Sequence, residues 1–383
     1  MAMRGELLKL LDALTGRVLA LLLGNGRATV APASGRRVSP PSRVLVIRPG
    51  GIGDAVLFIP MLRALREIWP KSAIDLLMER RNCAVLEGSS FAKRVYCYDR
   101  FPGDLLRVLR TRYDVVIDTE QYHHLSAFVA WLTRSPRRIG FGTTRRRRFL
   151  SELVPYSQEV YEARAFLDLA QAATGREVRF DPDRPFFLLP EEAVEYAEQT
   201  LASFAGRAMV AIHPGASIPE RRWGAGRYAA LARRLAEKEV AIIILGGPSD
   251  LRAAAKIRDA LTGWPFVDLA GRCSLVQAAA LVERAWVYIS ADTGVLHLAY
   301  GVGTPTVHLF GPGVLSKWGP PGRRFITVES PVPCSPCTRY GYTPPCNQGR
   351  LCMERITPDA VFDAVWSQLE RAEESREATG EQG

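Results

Sequence analysis

The chain has 383 residues, of which 47% are hydrophobic, and it carries a formal net charge of +10. This length and apolar content suffice for two hydrophobic cores, so we expect two domains. No apolar run of about 18 residues predicts a membrane-spanning helix. No zinc-finger pattern, RNP motif or Lys-rich arm indicates a nucleic-acid-binding protein, and no nucleic-acid partner is predicted.

The N-terminal segment 1–42 is predicted to be an amphipathic helix followed by a linker. Apolar residues recur at helical spacing over 7–22, but Asp12 and Arg17 interrupt them, which disfavours a signal peptide. Two alternatives stay open: a helix that lies on a membrane surface or another subunit, and a helix packed on its own domain. Residues 24–42 are rich in Gly, Pro, Ser and Arg, which is typical of a linker.

Residues 43–190 are predicted to form a first α/β domain. Buried strands are expected over 44–47, 73–78, 94–98 and 115–118. Their alternation with helical patterns is typical of a parallel sheet. The first strand leads into the turn Gly50-Gly51-Ile52-Gly53-Asp54 and a helix over 55–69. The Asp54 carboxylate could accept a proton from a hydroxyl, although an Asp at a helix start is more often a cap.

Residues 191–357 are predicted to form a second α/β domain. A proline-punctuated divider over 175–205 overlaps its start. Five strands are expected, over 208–213, 240–245, 266–269, 286–290 and 306–310. Helices are expected between them, over 227–237, 249–261, 275–283 and 295–300. Residues 358–383 are predicted to be a C-terminal helix, ending near residue 373, and a disordered polar tail.

The segment 289–312 combines a strand, a tight Asp292-Thr293-Gly294 turn, a helix and a second strand. Asp292 or Thr293 is predicted to cap the helix, and Gly294 lets the backbone approach a bound group. A helix N-terminus beside a glycine turn favours an anion, and ligands bind at the strand ends of parallel sheets. The segment therefore predicts a phosphate-bearing ligand, with an ordinary capped crossover helix as the alternative.

Two further loops follow predicted strands of the second domain. Ser217 and Arg221 lie after His213, and their hydroxyl and guanidinium groups are suited to a pyrophosphate. Asp250 ends the turn that begins at Gly246, where its carboxylate could accept from ribose hydroxyls. Loop capping is the alternative for each loop, but three such loops at one sheet edge favour a ligand site.

In this order the motifs resemble those of glycosyltransferase family 9, the ADP-heptose:lipopolysaccharide heptosyltransferases. The matching pieces are residues 47–56, 213–217 with 221–223, 245–248, and 290–297 through 310–312. The resemblance implies a GT-B type α/β fold, in which two Rossmann-like doubly wound domains face each other across a cleft. It also implies an ADP-sugar donor, a lipid-linked saccharide acceptor of the lipopolysaccharide core, and inverting transfer without a cofactor or metal for catalysis.

The resemblance also assigns roles to individual residues. Asp54 would be the general base. The donor would be bound by Ser217 and Arg221 at the pyrophosphate, Asp250 at the ribose, Asp292 at the sugar hydroxyls, and Thr293 and Gly294 at phosphate. The family usually has Lys where Arg221 stands, which keeps the charge but changes the geometry of its donors.

A basic cluster of the first domain is predicted to meet an acidic acceptor or anionic headgroups, with a solvated loop as the alternative. It comprises Arg134, Arg137, Arg138 and Arg145–Arg148. Arg137, Arg138 and His123 are the candidate acceptor contacts. With the resemblance, this cluster predicts a cytoplasmic enzyme in peripheral contact with the cytoplasmic face of the inner membrane.

Four cysteines cluster within residues 334–352, at Cys334, Cys337, Cys346 and Cys352. Their spacing fits a tetrahedral structural zinc site in a reducing compartment. Disulfides in an exported chain and reduced thiols without metal are the alternatives. The remaining cysteines, Cys83, Cys97 and Cys273, are predicted to be core thiols.

Other functions remain in competition with heptosyl transfer. One is a nucleotide-sugar-binding protein without turnover, which the presence of both Asp54 and Asp292 disfavours. Another is a family 9 transferase with a different sugar donor or acceptor. A nucleotide-sugar epimerase of the same broad fold is disfavoured because no acid–base pair beyond Asp54 stands out.

Overall fold

A computed structural model describes Asp12, residues 28–30 and residues 38–379. The chain divides into two compact units, Met1–Phe180 and Asp181–Gly383. Each unit contains one parallel β-sheet with helices, which confirms the predicted α/β class. Residues just after the division belong to the second unit, where the Phe186 and Phe187 N–H groups donate to the Gly301 carbonyl. The domain limits read from the sequence remain predictions.

The first unit is built on a seven-stranded sheet. Its strands are β1 (Thr29–Val30), β2 (Arg43–Arg48), β3 (Ala73–Met78), β4 (Arg94–Cys97), β5 (Val115–Asp118), β6 (Arg137–Phe141) and β7 (Glu152–Val154). Its helices are α1 (Ile52–Leu57), α2 (Ile59–Ile68), α3 (Arg80–Cys83), α4 (Pro102–Arg110), α5 (Leu125–Leu132) and α6 (Glu162–Thr174). The strand order is β1-β7-β6-β5-β2-β3-β4. The chain therefore runs from β2 outward to β4, then returns to build the other half from β5.

The predicted helix over 55–69 is instead two helices, α1 and α2, which meet at Phe58. Pro60 lies in the first turn of α2, where its missing N–H is tolerated, whereas in the interior of one long helix it would remove a hydrogen bond. The inner strands are near-continuous apolar runs because helices cover both faces of the sheet. Leu45, Ile47 and Val116 lie in this buried core.

Two described pieces of the N-terminal segment contact the first unit. Thr29 and Val30, in the predicted linker, form β1, which pairs with β7. The buried Asp12 carboxylate accepts from the backbone N–H groups of His124 at 2.7 Å and Leu125 at 2.6 Å, at the start of α5. Apart from Asp12, the predicted helix over 1–24 lies outside the described residues. The Asp12 contacts place this one residue against the first unit, and the two alternatives for the helix remain predictions.

The second unit is built on a six-stranded sheet. Its strands are β8 (Met209–His213), β9 (Ala241–Ile244), β10 (Phe266–Asp268), β11 (Val287–Ala291), β12 (Thr306–Phe310) and β13 (Phe325–Glu329). Its helices are α7 (Glu191–Leu201), α8 (Ala225–Ala236), α9 (Leu251–Ala260), α10 (Leu275–Arg284), α11 (Leu296–Val302), α12 (Leu315–Trp318), α13 (Leu351–Glu354) and α14 (Pro358–Thr379). The strand order is β10-β9-β8-β11-β12-β13, the order of a Rossmann sheet.

The C-terminal helix is longer than predicted. Residues 374–379, expected in a disordered tail, continue α14 to Thr379. Val361, Val365 and Leu369 of α14 are buried in the core of the second unit, so packing of this apolar face holds the helix on the sheet. Among the residues that the structure describes, none of the helices is long and apolar enough to cross a membrane.

Two buried histidines interact in the second unit, His297 on α11 and His308 on β12. Burial lowers the pKa of His297 to about 3, with a further contribution from His308, and burial alone lowers the pKa of His308 to about 3. Both rings are therefore neutral in the folded state at physiological pH. His308 contacts the Tyr300 hydroxyl through Nδ1 and the Thr327 hydroxyl through Nε2.

We predict that the free energy of unfolding falls as the pH decreases from about 6.5 toward 3. In this pH range the two histidines bind protons in the unfolded chain but not in the folded protein. Each histidine therefore lowers the free energy of unfolding by about 1.4 kcal/mol per pH unit. Urea titrations of wild type and His308→Gln at several pH values measure the slope. The variant should show a shallower dependence, and an unchanged slope would contradict the buried neutral state of His308.

Candidate active site

The glycine turn after β2 holds Asp54 at the carboxyl end of the first sheet. Gly50 has a φ of +103°, a conformation that favours glycine. The Asn82 side chain holds the turn by donating to the carbonyls of Arg48 at 3.1 Å and Gly50 at 3.2 Å. Asp54 lies in the first turn of α1 and is half-buried, and no side chain caps this helix. Its Oδ2 lies over the glycine turn, 3.2 Å from the point where a Cβ on Gly51 would stand.

The loop after β5 lies next to this turn because β2 and β5 are neighbours. Gln121, in that loop, donates from Nε2 to Asp54 Oδ1 at 3.4 Å. No local motif marks Gln121 in the sequence. The signal that could have found it is the strand order, since the loops after adjacent parallel strands meet at one edge of a sheet.

Buried ion pairs support the loop after β5. Arg146, a member of the predicted basic cluster, is fully buried and pairs with Asp118 at the end of β5. Arg48 lies 3.7 Å from the Glu120 carboxylate. Burial raises the pKa of Asp118, and the Arg146 guanidinium opposes that shift. Arg146 therefore serves as a structural ion-pair partner within the first unit rather than as part of a solvated cluster.

The candidate acceptor contacts are engaged within the first unit. Arg137 donates to both Glu152 carboxylate oxygens, at 2.7 and 3.0 Å. Arg138 Nε donates to the Phe149 carbonyl at 2.9 Å. His123 Nδ1 lies 3.4 Å from the Asp12 carboxylate. An acceptor would have to compete with these contacts, and acceptor binding by these three residues remains a prediction.

In the second unit, Arg221 and Asp292 meet at the ends of β8 and β11, which are neighbouring strands. Arg221 Nη1 lies 2.9 Å from Asp292 Oδ2. Burial raises the pKa of Asp292, and the Arg221 charge opposes that shift. The predicted capping by Asp292 or Thr293 is wrong: α11 begins at Leu296 without a side-chain cap, because the Asp292 carboxylate is turned toward Arg221.

Asp250 lies beside His213 at the same edge of the second sheet. Its Oδ2 accepts from the Gly247 N–H at 2.9 Å and lies 3.4 Å from His213 Nε2. Burial acts to raise the pKa of Asp250, but the contacts with His213 and Gly247 outweigh it and hold the pKa below its ordinary value. A Cβ on Gly215 would lie 2.1 Å from Asp250 Oδ1, so any other residue there would displace the Asp250 carboxylate.

Several buried polar atoms have no hydrogen-bond partner within the described part of the chain, among them Arg221 Nε and His297 Nδ1 of the predicted donor motifs. Leaving such atoms unpaired costs about 1–3 kcal/mol each, so a polar ligand at this place would be stabilising. His297 lies within the segment 289–312, but no local pattern in the sequence predicts that its ring is buried. Of the other predicted donor contacts, Thr293 is buried, Gly294 is half-buried and Ser217 is exposed.

The cysteine loop 334–352 packs beside Arg221. Arg221 Nη2 donates to the Thr343 hydroxyl at 3.4 Å, and the Cys337 N–H donates to the Pro312 carbonyl at 3.1 Å. The four thiols line one pocket. Burial raises the pKa of Cys352, and the neighbouring thiols add to the shift. The loop is therefore a structural part of the candidate site.

No group of three or more His, Cys, Asp or Glu side chains that could hold a metal ion is found among the described residues. Zinc binding by the four thiols of the loop remains a prediction, which the metal content of the purified protein would test. One cysteine prediction is wrong: Cys83 and Cys97, expected to be core thiols, form a disulfide.

Comparison with known proteins identifies the family. A family model described as glycosyltransferase family 9 (heptosyltransferase) matches residues 103–346, which is more than half of the chain. The chain belongs to glycosyltransferase family 9. It is therefore a glycosyltransferase, as the sequence motifs predicted.

Relatives and solved structures agree with this assignment. The family 9 chain is 28% identical over 314 residues to lipooligosaccharide heptosyltransferase 2 of Haemophilus ducreyi, covering 75% of this chain and 88% of that protein. A family 9 glycosyltransferase of Veillonella parvula superimposes with a TM-score of 0.74 at 19% identity, covering 88% and 100% of the two chains. The ADP-heptose lipopolysaccharide heptosyltransferase II of Escherichia coli superimposes with a TM-score of 0.69 at 22% identity, covering 86% of this chain and 99% of that chain. These likenesses confirm the predicted GT-B fold.

We predict that Gly215→Ala destabilises the enzyme. The new methyl group would displace the Asp250 carboxylate from His213 and Gly247, and lost buried hydrogen bonds cost about 1–3 kcal/mol. Urea unfolding measures the loss. Gly103→Ala is the matched control, because nothing lies within 4 Å of a Cβ at Gly103 in α4. Equal stability of the two variants would contradict the close approach of Gly215 to Asp250.

Proposed function

We propose that this family 9 enzyme transfers a heptose from ADP-heptose to a lipopolysaccharide core acceptor, with inversion and without a catalytic metal. The relatives support the donor and acceptor classes: one is a lipooligosaccharide heptosyltransferase and another is an ADP-heptose lipopolysaccharide heptosyltransferase. The observation that carries the proposal is the pair of half-buried Arg221 and buried Asp292, in which Arg221 Nε has no partner, at the strand ends where a Rossmann sheet binds ligands.

The second unit is the proposed donor side. Arg221 is suited to a diphosphate because a guanidinium donates two parallel hydrogen bonds to phosphate oxygens. Asp292 is suited to sugar hydroxyls, since its buried carboxylate offers acceptor oxygens. Asp250 is proposed to accept from the ribose. Ser217, Thr293 and Gly294 complete the proposed donor contacts.

The first unit supplies the proposed base. Asp54 would accept the proton as the acceptor oxygen attacks the anomeric carbon, while the bond from that carbon to the phosphate oxygen breaks and ADP leaves. Arg221 would stabilise the charge that develops on the departing diphosphate. The residues matched by the family model begin after Asp54, so the base assignment rests on the motif after β2 and on the geometry of the first unit.

The enzyme is proposed to work in the cytoplasm, in peripheral contact with the cytoplasmic face of the inner membrane. A lipid-linked saccharide acceptor is anchored there, and Arg145 and Arg147 present exposed positive charge that suits anionic headgroups. Arg137, Arg138 and His123 are retained as proposed acceptor contacts, which an acceptor would reach by displacing their present partners.

We predict that Asp54→Asn lowers kcat by about 10²- to 10⁴-fold, the contribution typical of a general base. Binding of ADP should be unchanged, because the donor contacts belong to the second unit. Transfer from ADP-heptose to a deacylated core acceptor and ADP-induced thermal shifts measure the two properties. Asp99→Asn, an exposed carboxylate of the same unit, is the control. Turnover by Asp54→Asn at the wild-type rate would rule out Asp54 as the base.

We predict that ADP-heptose stabilises the protein more than UDP-glucose or GDP-mannose does. A ligand present at 100 times its Kd stabilises the native state by about 2.7 kcal/mol. Arg221→Met should lose this ligand-induced shift, whereas Arg233→Met, at an exposed arginine of α8, should keep it. A larger shift with the UDP- or GDP-sugar would contradict the ADP-sugar donor.

A further inference from the structure

Gln121 lies between two carboxylates at the carboxyl edge of the first sheet. Its Nε2 donates to Asp54 Oδ1 at 3.4 Å and also to Glu162 Oε1. Glu162 is fully buried at the start of α6, and its second oxygen accepts from the Tyr156 hydroxyl at 3.0 Å. A chain of hydrogen bonds therefore runs from Tyr156 through Glu162 and Gln121 to Asp54.

The two carboxylates determine which way the Gln121 amide points. An ionised carboxylate only accepts hydrogen bonds, whereas an amide has a donating nitrogen and an accepting oxygen. With the amide turned over, its oxygen would face carboxylate oxygens of Asp54 and Glu162. The single NH₂ group has two hydrogens, one for each neighbour, so the observed orientation satisfies both.

At its other end, the chain of hydrogen bonds is held by Tyr156 and Glu162 in the interior of the unit. Burial raises the pKa of Tyr156, and the neighbouring Glu162 raises it further, so the phenol keeps its proton and donates. Glu162 occupies the first turn of the 13-residue helix α6, where the helix dipole favours a negative charge. The Glu162 carboxylate is thus a stable acceptor that holds Gln121 from behind.

At the Asp54 end, the chain of hydrogen bonds restricts the orientation of the Asp54 carboxylate. The bond from Gln121 reaches only Oδ1, and the other oxygen, Oδ2, lies over Gly51, 3.2 Å from the point where a Cβ would stand. A carboxylate that accepts at one oxygen loses rotational freedom about its terminal torsion. Oδ2 is therefore presented in one direction, over the glycine turn.

We propose that Gln121 is a positioning residue for Asp54 and that Glu162 holds Gln121 in place. This inference rests on the proposed role of Asp54 as general base. Gln121 donates one N–H to Oδ1 and leaves Oδ2 to take the proton of the acceptor hydroxyl. It touches neither donor nor acceptor, and it acts only through the carboxylate that it orients.

The decisive variant is Gln121→Met, which keeps the length of the side chain and removes the amide. We expect kcat to fall by about 10²-fold, a loss that misplacement of a reacting group by about 1 Å can cause, while the donor KM is unchanged. The acid limb of the kcat/KM profile should move to higher pH, because a hydrogen bond donated to a carboxylate favours its charged form. A purely structural role would change the thermal stability without moving this limb.

Gln171→Met is the matched control, since Gln171 is a half-buried glutamine of the same unit on α6. Glu162→Gln is the second variant: it keeps the shape but replaces the carboxylate that holds Gln121, so kcat should fall while the donor KM is unchanged. If Gln121→Met does not fold, the kcat and donor KM of Glu162→Gln decide whether Gln121 positions Asp54.

Asp54→Asn separates failure of this inference from failure of the proposed function. An inactive Asp54→Asn together with wild-type kcat and an unmoved acid limb in Gln121→Met would overturn the positioning role and leave the base assignment standing. Full turnover by Asp54→Asn would overturn both. Loss of kcat in Gln121→Met with a shifted acid limb, and none in Gln171→Met, supports the positioning role.

Discussion

The two candidate sites depend on one topological constraint, the reversal of strand order within each sheet. In the first unit the chain leaves β2 in one direction and later returns to β5 on the other side. In the second unit it does the same at β8 and β11. Right-handed crossovers at such a reversal lead the two following loops away from each other and open a crevice between them. Asp54 and Gln121 lie at the first of these positions, and Arg221 and Asp292 lie at the second.

Two ion pairs lie at these reversals. The Arg146–Asp118 pair is fully buried and the Arg221–Asp292 pair is largely so, and their desolvation offsets much of their attraction. Removing one partner of such a pair costs about 3–5 kcal/mol, because the other charge is left buried and unpaired. The pairs therefore contribute more to the definite geometry of the loops than to net stability. A loop held in one geometry can present a carboxylate or guanidinium to a ligand without first being ordered.

The sequence was sufficient where short-range periodicity decides the structure. The strands predicted over 73–78 and 115–118 have the observed bounds, since apolar runs between turn residues identify buried strands. The sequence was insufficient where contacts between residues far apart in the chain decide the structure. Asp292 looks like a helix cap locally, but a guanidinium 71 positions earlier in the chain competes for its carboxylate. Likewise, the sequence places Arg146 in an exposed arginine cluster. Its burial could not be predicted, because its partner Asp118 is 28 residues away and meets it only in the folded sheet.

Arg221 stands where the resemblance to family 9 implies a lysine, and this difference has a structural consequence. A lysine ammonium is a single nitrogen, whereas a guanidinium spreads its donors over a planar fork. Arg221 uses this fork in two directions, with Nη1 toward Asp292 and Nη2 toward Thr343 in the cysteine loop. Thr343 in turn contacts the Thr338 hydroxyl at 2.8 Å. The arginine thereby joins the strand end at β11 to the loop 334–352, so this loop helps to hold a candidate donor residue in place.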